Sequence, residues 1–181
     1  QLDVLKDEGI DYSHVKIING RNPISRIINR QGKNKILDID KGVYEAFSLN
    51  NEDLDFIDKF KCFHSNIYSF TEKYLEEINR TDKIISYDYS FKKDRKYIIE
   101  TAPYIDIAFF SGENLKNENI REFMLYVSNF GPEHIITTMG KNGVIALYKD
   151  NFYFQSAPEI EVIDTLGAGD FLHGAFCYYY L

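Results

Sequence analysis

The chain has 181 residues, of which 44% are hydrophobic and 27% are charged, as in an ordinary globular protein of about one domain. No apolar run approaches the ~18 residues of a membrane-spanning helix, and the net charge of −7 disfavours a general binder of nucleic acid or anionic membrane. The two cysteines, Cys62 and Cys177, lie far apart and outside any CxxC pattern, so neither a structural zinc site nor a disulfide scaffold is expected.

The two ends of the sequence indicate a piece of a longer protein, incomplete at both ends. The chain starts at Gln1 rather than at a methionine, and residues 175–181 form an apolar run that is left open. No basic-then-apolar signal segment is visible at the start, so the expected location is the cytoplasm.

The segment 15–39 is predicted to form a small antiparallel sheet. Short β-type runs at 15–18, 25–29 and 35–37 surround a turn at 31–34, and several of their polar positions would be exposed. We expect two or three strands that lie outside the main body of the protein. Residues 1–14 and 40–181 would form that body.

After about residue 48 the pattern changes to alternating strands and helices. The predicted strands are 61–65, 83–88, 104–110, 134–138, 143–148 and 152–155. Such alternation is typical of βαβ units. The predicted fold class is therefore α/β, with a mainly parallel Rossmann-like sheet flanked by helices.

The helices are predicted between these strands. The clearest one carries Ile120, Phe123, Met124 and Val127 at i, i+3, i+4, i+7 spacing. Further helices are expected at 48–60, after the capping-box pair Ser69 and Glu72, near 94–101, and from about residue 167 onwards.

The strongest chemical signal is the string Asp164-Thr165-Leu166-Gly167-Ala168-Gly169-Asp170. Small residues at 167–169, where a helix begins, leave backbone N–H groups uncovered with the positive end of the helix dipole behind them. A transferring phosphoryl group needs such donors, and the adjacent Asp170 could accept the proton of an attacking hydroxyl. The alternative, equally open from spacing alone, is a glycine-rich helix start whose aspartate only caps N–H groups.

A second, weaker signal is the turn Thr138-Met139-Gly140-Lys141-Asn142-Gly143, between a predicted strand and a hairpin. Gly140 and Gly143 allow tight backbone turns, while Thr138 and Lys141 could contact phosphates. By itself such a segment is more often only a turn, and it does not match the longer spacing of a P-loop.

Taken together, the two segments resemble the ribokinase-like (PfkB) carbohydrate kinases. The helix that continues through residues 171–176 and the link at residues 5–15 are also similar to that family. The resemblance covers nearly the whole chain, which would correspond to the C-terminal two-thirds of such a kinase.

The resemblance implies transfer of the γ-phosphate of ATP to a sugar hydroxyl, usually a primary one. Asp170 would be the base that also contacts the sugar, and Gly167, Ala168 and Gly169 would form the anion hole. Thr138, Gly140, Lys141, Gly143 and Gly169 would contact ATP. The segment 15–39 would be a lid over the sugar, and lids of related kinases often pair in a homodimer.

Metal ions enter through the same resemblance. Asp164 occupies a position that helps to bind a monovalent cation such as K⁺ in some members. The family often places an Asn-x-x-Glu motif near Mg²⁺ and phosphate, whereas this chain reads Ser111-Gly112-Glu113-Asn114. Glu113 is the candidate Mg²⁺ ligand in that stretch.

Other polar residues have two interpretations each. Asp88 ends a predicted strand, where this class of protein places ligand contacts, but a simple turn role is as reasonable. Arg26 would either reach the sugar from the lid or solvate its outer face. His64 is expected at the rim or core of the sheet, and His173 is expected to pack.

Two functions are carried forward. The favoured one is an ATP-dependent sugar kinase with an aspartate base, and the alternative is a non-catalytic nucleotide- or sugar-binding relative of the same fold. Small-molecule sugar and ATP are the expected partners. A nucleic-acid partner is not expected, because the sequence lacks a basic stripe with aromatic residues.

Overall fold

The computed structural model describes residues 2–30, 33–112, 115 and 117–181. A short helix, α1 (Leu2–Asp7), opens the chain, and a separate antiparallel hairpin follows with strands β1 (Ile24–Arg30) and β2 (Lys33–Asp40). Ile27 pairs with Ile36 in this two-stranded sheet, and a register shift falls between Arg26 and Ile27. The predicted run at 15–18 does not form a strand.

A six-stranded sheet makes up the body of the described chain. Its strands are β3 (Cys62–Asn66), β4 (Ile84–Asp88), β5 (Ile107–Ser111), β6 (His134–Thr138), β7 (Val144–Tyr148) and β8 (Asn151–Gln155). The spatial order is the chain order; β3 to β6 pair in parallel, whereas β6, β7 and β8 pair antiparallel. The predicted α/β class with a mainly parallel sheet and a small antiparallel one is confirmed.

Helices lie before, between and after the strands of this sheet. They are α2 (Asn51–Ile57), α3 (Leu75–Ile78), α4 (Arg95–Thr101), α5 (Asn117–Ser128) and, at the end of the described chain, α6 (Ala168–Tyr180). Single 3₁₀ turns lie at Gly42–Ala46, Glu72–Tyr74, Ala102–Tyr104 and Gly140–Asn142.

Local capping explains where two of these helices begin. The Asn50 side chain accepts from the Asp53 N–H while the Asp53 carboxylate accepts from the Asn50 N–H, a capping box that starts α2. Asp94 starts α4 by accepting from the Tyr97 N–H at 2.9 Å. These acceptors satisfy N–H groups that have no partner inside the helix.

The hydrophobic core lies between the sheet and its helices. In β5 the residues Ile107, Ala108 and Phe109 are fully buried, because a central parallel strand is covered on both faces. Ile120, Met124 and Val127 of α5 are buried in the cluster that contains Ala108, as their spacing predicts, and Phe123 packs against it. Ile107 and Phe109 belong to a second cluster.

The predicted capping box of Ser69 and Glu72 is wrong. The Ser69 hydroxyl donates to the Asn66 side-chain oxygen at 2.9 Å, so it is used inside the turn that follows β3. The next helix, α3, is a single turn without a side-chain cap. None of the helices in the described ranges is long and apolar enough to cross a membrane.

Candidate active site

Polar residues collect where the parallel strands end. Asp88, Ser111 and Thr138 are the last residues of β4, β5 and β6, and neighbouring parallel strands bring these ends to one edge of the sheet. Ligands of open α/β sheets bind outside the carboxyl ends of the strands. This edge is therefore the place to look for the candidate site.

The turn before α6 presents free backbone donors. Gly167 is the N-cap residue in a left-handed conformation with φ +80°, and no side chain caps the helix. The N–H groups of Leu166 and Ala168 are used within the turn, by the Asp164 carboxylate at 2.9 Å and by the Thr165 carbonyl at 3.2 Å.

The N–H groups of Gly169 and Asp170 make no hydrogen bond within the described residues. A Cβ atom at Gly167 would meet no atom within 4 Å, so the space beside the turn is open in this structure. A helix start with two unused N–H groups and an open approach is suited to an anion. Within the predicted anion hole, the Ala168 N–H group therefore donates to the Thr165 carbonyl. The N–H groups of Gly167 and Gly169, and that of the neighbouring Asp170, have no partner among the described residues.

Asp170 itself is exposed, and its carboxylate makes no hydrogen bond to the described part of the chain. The interpretation that Asp170 only caps N–H groups thus lacks the hydrogen bond that it requires. The carboxylate is free to accept a proton from outside the chain.

Asp88 and His173 lie in the electrostatic neighbourhood of Asp170. Burial raises the pKa of Asp88, and the negative charge of Asp170 adds to that rise, while His173 and His64 oppose it. The Asp88 carboxylate also accepts from the Ser90 N–H at 2.7 Å, which holds the turn after β4. The structure thus brings Asp88 and Asp170 together, and it gives Asp88 a turn role as well.

His173 is buried one helical turn beyond Asp170. Its ring packs on Phe109 with centroids 4.1 Å apart and lies 5.8 Å from the ring of His64. Burial lowers the pKa of His173, although Asp88 acts in the opposite direction. The predicted packing role is seen, and the ring lies directly beneath Gly169, whose virtual Cβ would be 4.0 Å from the His173 Cε1 atom.

The segment Thr138–Gly143 forms a tight turn at the same edge. The Met139 N–H donates to the Gly143 carbonyl at 2.8 Å, and residues Gly140–Asn142 form a 3₁₀ turn. Gly143 has φ +97°, and a Cβ there would lie 2.0 Å from the Gln155 carbonyl oxygen. Gly143 is thus required by backbone packing, whereas Lys141 is exposed at the surface of the turn.

One cation at this edge was not predicted. The Lys93 ammonium donates to the Ser111 carbonyl at 2.6 Å, at the end of β5, and burial lowers the pKa of Lys93. The only sequence signal was the basic pair Lys92-Lys93 a few residues beyond Asp88. Its position depends on how the chain folds back, which composition does not reveal.

The three remaining predicted residues have different outcomes. Arg26 forms an exposed ion pair with Asp38 across the hairpin at 2.6 Å. This agrees with the interpretation that its side chain is solvated on the outer face of the hairpin. The Asp164 carboxylate accepts from the Leu166 N–H. Glu113, the candidate Mg²⁺ ligand, lies outside the described residues.

The described side chains fit a Mg²⁺ ion that is also coordinated by substrate phosphates, and not one held by protein ligands alone. No three His, Cys, Asp or Glu side chains converge into a metal-ligand set in the ranges that the structure describes. Mg²⁺ commonly uses one or two carboxylates together with water and substrate phosphates. Asp88 and Asp170 are the carboxylates at this edge that fit such a role.

Comparisons with known proteins point in one direction. The sequence pattern of the "pfkB family carbohydrate kinase" matches residues 2–181. Fructosamine kinase FrlD of Bacillus subtilis (strain 168) is 29% identical over 184 residues, which cover 97% of this chain and 64% of the relative. Fructoselysine 6-kinase of Escherichia coli (strain K12) is 29% identical over 170 residues, covering 93% of this chain and 65% of the relative.

A solved structure shares the fold. Ribokinase of Arabidopsis thaliana, complexed with ribose and ATP, has a TM-score of 0.70 at 18% identity, covering 88% of this chain and 56% of that one. The chain thus spans a little under two-thirds of the length of the curated relatives it matches.

Proposed function

We infer that this chain, which belongs to the pfkB family of carbohydrate kinases, is part of an ATP-dependent kinase that phosphorylates an amine-substituted ketose. The relatives named for fructosamine and fructoselysine support that substrate class, since both are 29% identical across nearly the whole chain. The name of the second relative favours the hydroxyl at carbon 6 as the acceptor.

One observation carries the catalytic part of the proposal. The N–H groups of Gly169 and Asp170 are unused while the Asp170 carboxylate beside them is exposed and free of hydrogen bonds within the described chain. A structural cap would use these groups, whereas a phosphoryl-transfer site needs them available.

In the proposed reaction the sugar hydroxyl oxygen attacks the γ-phosphorus of ATP. The new P–O bond forms as the bond from the γ-phosphorus to the bridging oxygen of ADP breaks, and the hydroxyl proton passes to the Asp170 carboxylate. The charge on the transferring oxygens is met by the N–H groups of Gly169 and Asp170 and by the helix dipole behind them.

The remaining contacts of the site are proposed from the sequence motifs and their place at the sheet edge. Thr138, Gly140, Lys141 and Gly143 would line the ATP phosphates because their turn lies at the same sheet edge. Asp88 would contact the sugar. Mg²⁺ would neutralise phosphate charge when bound with ATP, with Glu113 as its predicted ligand.

Two assignments stay predictions from the sequence. One is a K⁺-type cation near Asp164. The other is the role of the segment 15–39 as a sugar lid that pairs in a homodimer; its hairpin, β1 and β2, forms a sheet of its own.

The experiment is a substrate panel on the full-length protein. Fructoselysine, another fructosamine, fructose and ribose are each incubated with ATP and Mg²⁺, and ADP release and the sugar phosphate are measured. We expect the highest kcat/KM for the two amine-substituted ketoses and a kcat that is about 10²–10⁴-fold lower in the Asp170→Asn variant. Preference for ribose or fructose would overturn the substrate class, and binding of ATP and sugar without turnover would favour the binding-only relative.

A further inference from the structure

The two cysteines of the chain lie close together between the sheet and α6, although they are 115 positions apart in sequence. Cys62 begins β3 and Cys177 lies near the end of α6. The Cys177 thiol donates to the buried Ser86 hydroxyl at 3.4 Å. Cys62 lies on the same face of the sheet as Ser86 and is close enough to Cys177 to change its pKa. Both cysteines are free thiols and only partly buried.

The sheet register explains how the cysteines come together. Cys62 lies opposite Ile84 and His64 lies opposite Ser86, so alternate residues of two neighbouring strands point to one face. α6 packs on that face, and the His64 ring nitrogen Nδ1 contacts the Ser86 hydroxyl at 2.9 Å. The result is a polar group of two thiols, a hydroxyl and an imidazole between β3, β4 and α6.

This group is not suited to a metal ion. No set of three ligating side chains converges among the described residues, so Cys62, His64 and Cys177 do not enclose a cation. The proposed kinase reaction uses none of these side chains. Two neighbouring thiols without a metal are suited to oxidation instead.

The environments of the two thiols differ in a way that suits thiol–disulfide exchange. The hydrogen bond from Cys62, together with His64 and Ser86, lowers the pKa of Cys177 against the effect of burial. The same contact, together with burial, raises the pKa of Cys62. Cys177 is therefore the sulfur with more thiolate character, and the thiolate is the attacking species.

We propose that Cys62 and Cys177 form a reversible disulfide with glutathione disulfide as the oxidant, and that this bond inactivates the kinase through α6. The Cys177 thiolate attacks one sulfur of glutathione disulfide, whose S–S bond breaks and releases one glutathione thiolate. The Cys62 thiol then loses its proton and attacks the Cys177 sulfur, releasing the second glutathione. The two protein thiols are oxidised, and one glutathione disulfide is reduced to two glutathiones.

The link to activity runs along one helix face. Asp170 and Cys177 are two turns apart on α6, a separation of ~10 Å at 1.5 Å per residue. A covalent bond brings the Cys177 sulfur closer to β3 than a non-bonded contact allows, and a helix transmits that displacement to its start. A misplacement of 1 Å costs about 10²-fold in a well-oriented reaction, so we expect oxidation to lower kcat by roughly 10-fold or more.

The test uses full-length protein in two states, reduced with dithiothreitol and equilibrated with glutathione disulfide. Remaining thiols are alkylated, and a peptide map without reduction shows which cysteines are linked. We expect one linked peptide that joins Cys62 to Cys177, loss of kcat in the oxidised state and full recovery after dithiothreitol. The sugar substrate is the best one of the panel, so the activity readout depends on the proposed function, whereas the peptide map does not.

Cys62→Ser and Cys177→Ser are the matched variants. Reduced Cys62→Ser should keep the activity of the parent protein and, with glutathione disulfide, gain one glutathione at Cys177 without an internal link. Absence of the Cys62–Cys177 peptide in the parent protein, while glutathione adducts accumulate, would overturn the proposal. An oxidised, linked protein with unchanged kcat would overturn its regulatory part, and neither of these two outcomes depends on the serine variants being folded.

Discussion

Asp170 lies in the first turn of α6, its side chain is exposed, and no described residue forms a hydrogen bond with its carboxylate. Replacing Asp170 with Asn keeps the size of the side chain and removes the base. Because a positioned base contributes about 10²–10⁴-fold, we expect kcat to fall within that range. The melting temperature and the ATP affinity should stay the same, since the side chain supports no contact in the described fold.

Asp150→Asn is the matched control for that variant. Asp150 is an exposed aspartate with φ +64° in the turn between β7 and β8, where Asn is well tolerated. Its kcat should equal that of the parent protein. A near-normal kcat in Asp170→Asn would remove Asp170 as the base, and a loss of folding together with activity would favour a capping role.

Asp88 is predicted to reduce stability in its ionised form. Burial raises its pKa above the ordinary value of 3.8, so the folded state binds the proton more tightly than the unfolded state does. The free energy of unfolding therefore decreases as the pH rises from 3.8 through the pKa of Asp88 in the folded state, because Asp88 loses its proton there. Asp88→Asn removes this cost while keeping an acceptor for the Ser90 N–H.

We expect Asp88→Asn to raise the melting temperature at pH 7, because the variant removes the cost of burying the charge of Asp88. The same variant should lower kcat/KM for the sugar by about tenfold, since a hydrogen bond to a charged group contributes about 1.5–3 kcal/mol. Calorimetry and initial rates measure the two effects. A lower melting temperature at pH 7 would contradict the sign argued from burial.

At the scale of single elements, α5 depends on one buried face. Met124 is fully buried in the main core, whereas its neighbour Leu125 is 41% exposed. Met124→Ala should lower the free energy of unfolding by about 2–5 kcal/mol, because it leaves a cavity that the core cannot fill. Leu125→Ala should change it by less than about 0.5 kcal/mol, and equal effects in urea titrations would show that the helix is packed differently.

The elements differ in how well sequence alone predicts them. α5 and β6 were predicted closely because their patterns follow one period and end at clear signals. The prediction of a strand at 15–18 is wrong, because residues with high β propensity form a strand only where a neighbouring strand pairs with them. Ser69 does not cap a helix, because its hydroxyl donates to the side-chain oxygen of the nearby Asn66.

The candidate site divides in the same way. Asp170 and its glycine-rich turn could be predicted because the donors and the base are contiguous in sequence. Lys93 could not be assigned, because its role arises from a tertiary contact with Ser111. The electrostatic coupling of Asp88, His173 and Asp170 likewise depends on which strands are neighbours.

For the whole molecule, one buried histidine, His173, and one half-buried histidine, His134, predict loss of stability in acid. Burial lowers the pKa of His134 and of His173 below the ordinary value of 6.5. The unfolded chain thus binds protons that the folded chain does not, and stability should fall as pH drops below 6.5 toward the folded pKa values. A difference of one bound proton gives a slope of about 1.4 kcal/mol per pH unit.

His134→Phe is the variant that tests this pH dependence away from the active site. The ring of His134 stacks on Tyr148 with centroids 4.4 Å apart, and Phe can preserve that contact. Urea titrations from pH 7.5 to 5.5 should give a shallower decline in the variant than in the parent protein. An unchanged decline would show that His134 does not contribute to it.

The agreement between spatial order and chain order in the sheet has a consequence for synthesis on the ribosome. Each of β4 to β8 pairs with the strand made just before it, so no strand must wait for a distant partner. Loops that close over short sequence distances cost less entropy, and topologies dominated by such local contacts fold faster. The sheet can therefore grow one strand at a time as the nascent chain emerges, and α6, with Asp170, docks on a surface that is already assembled.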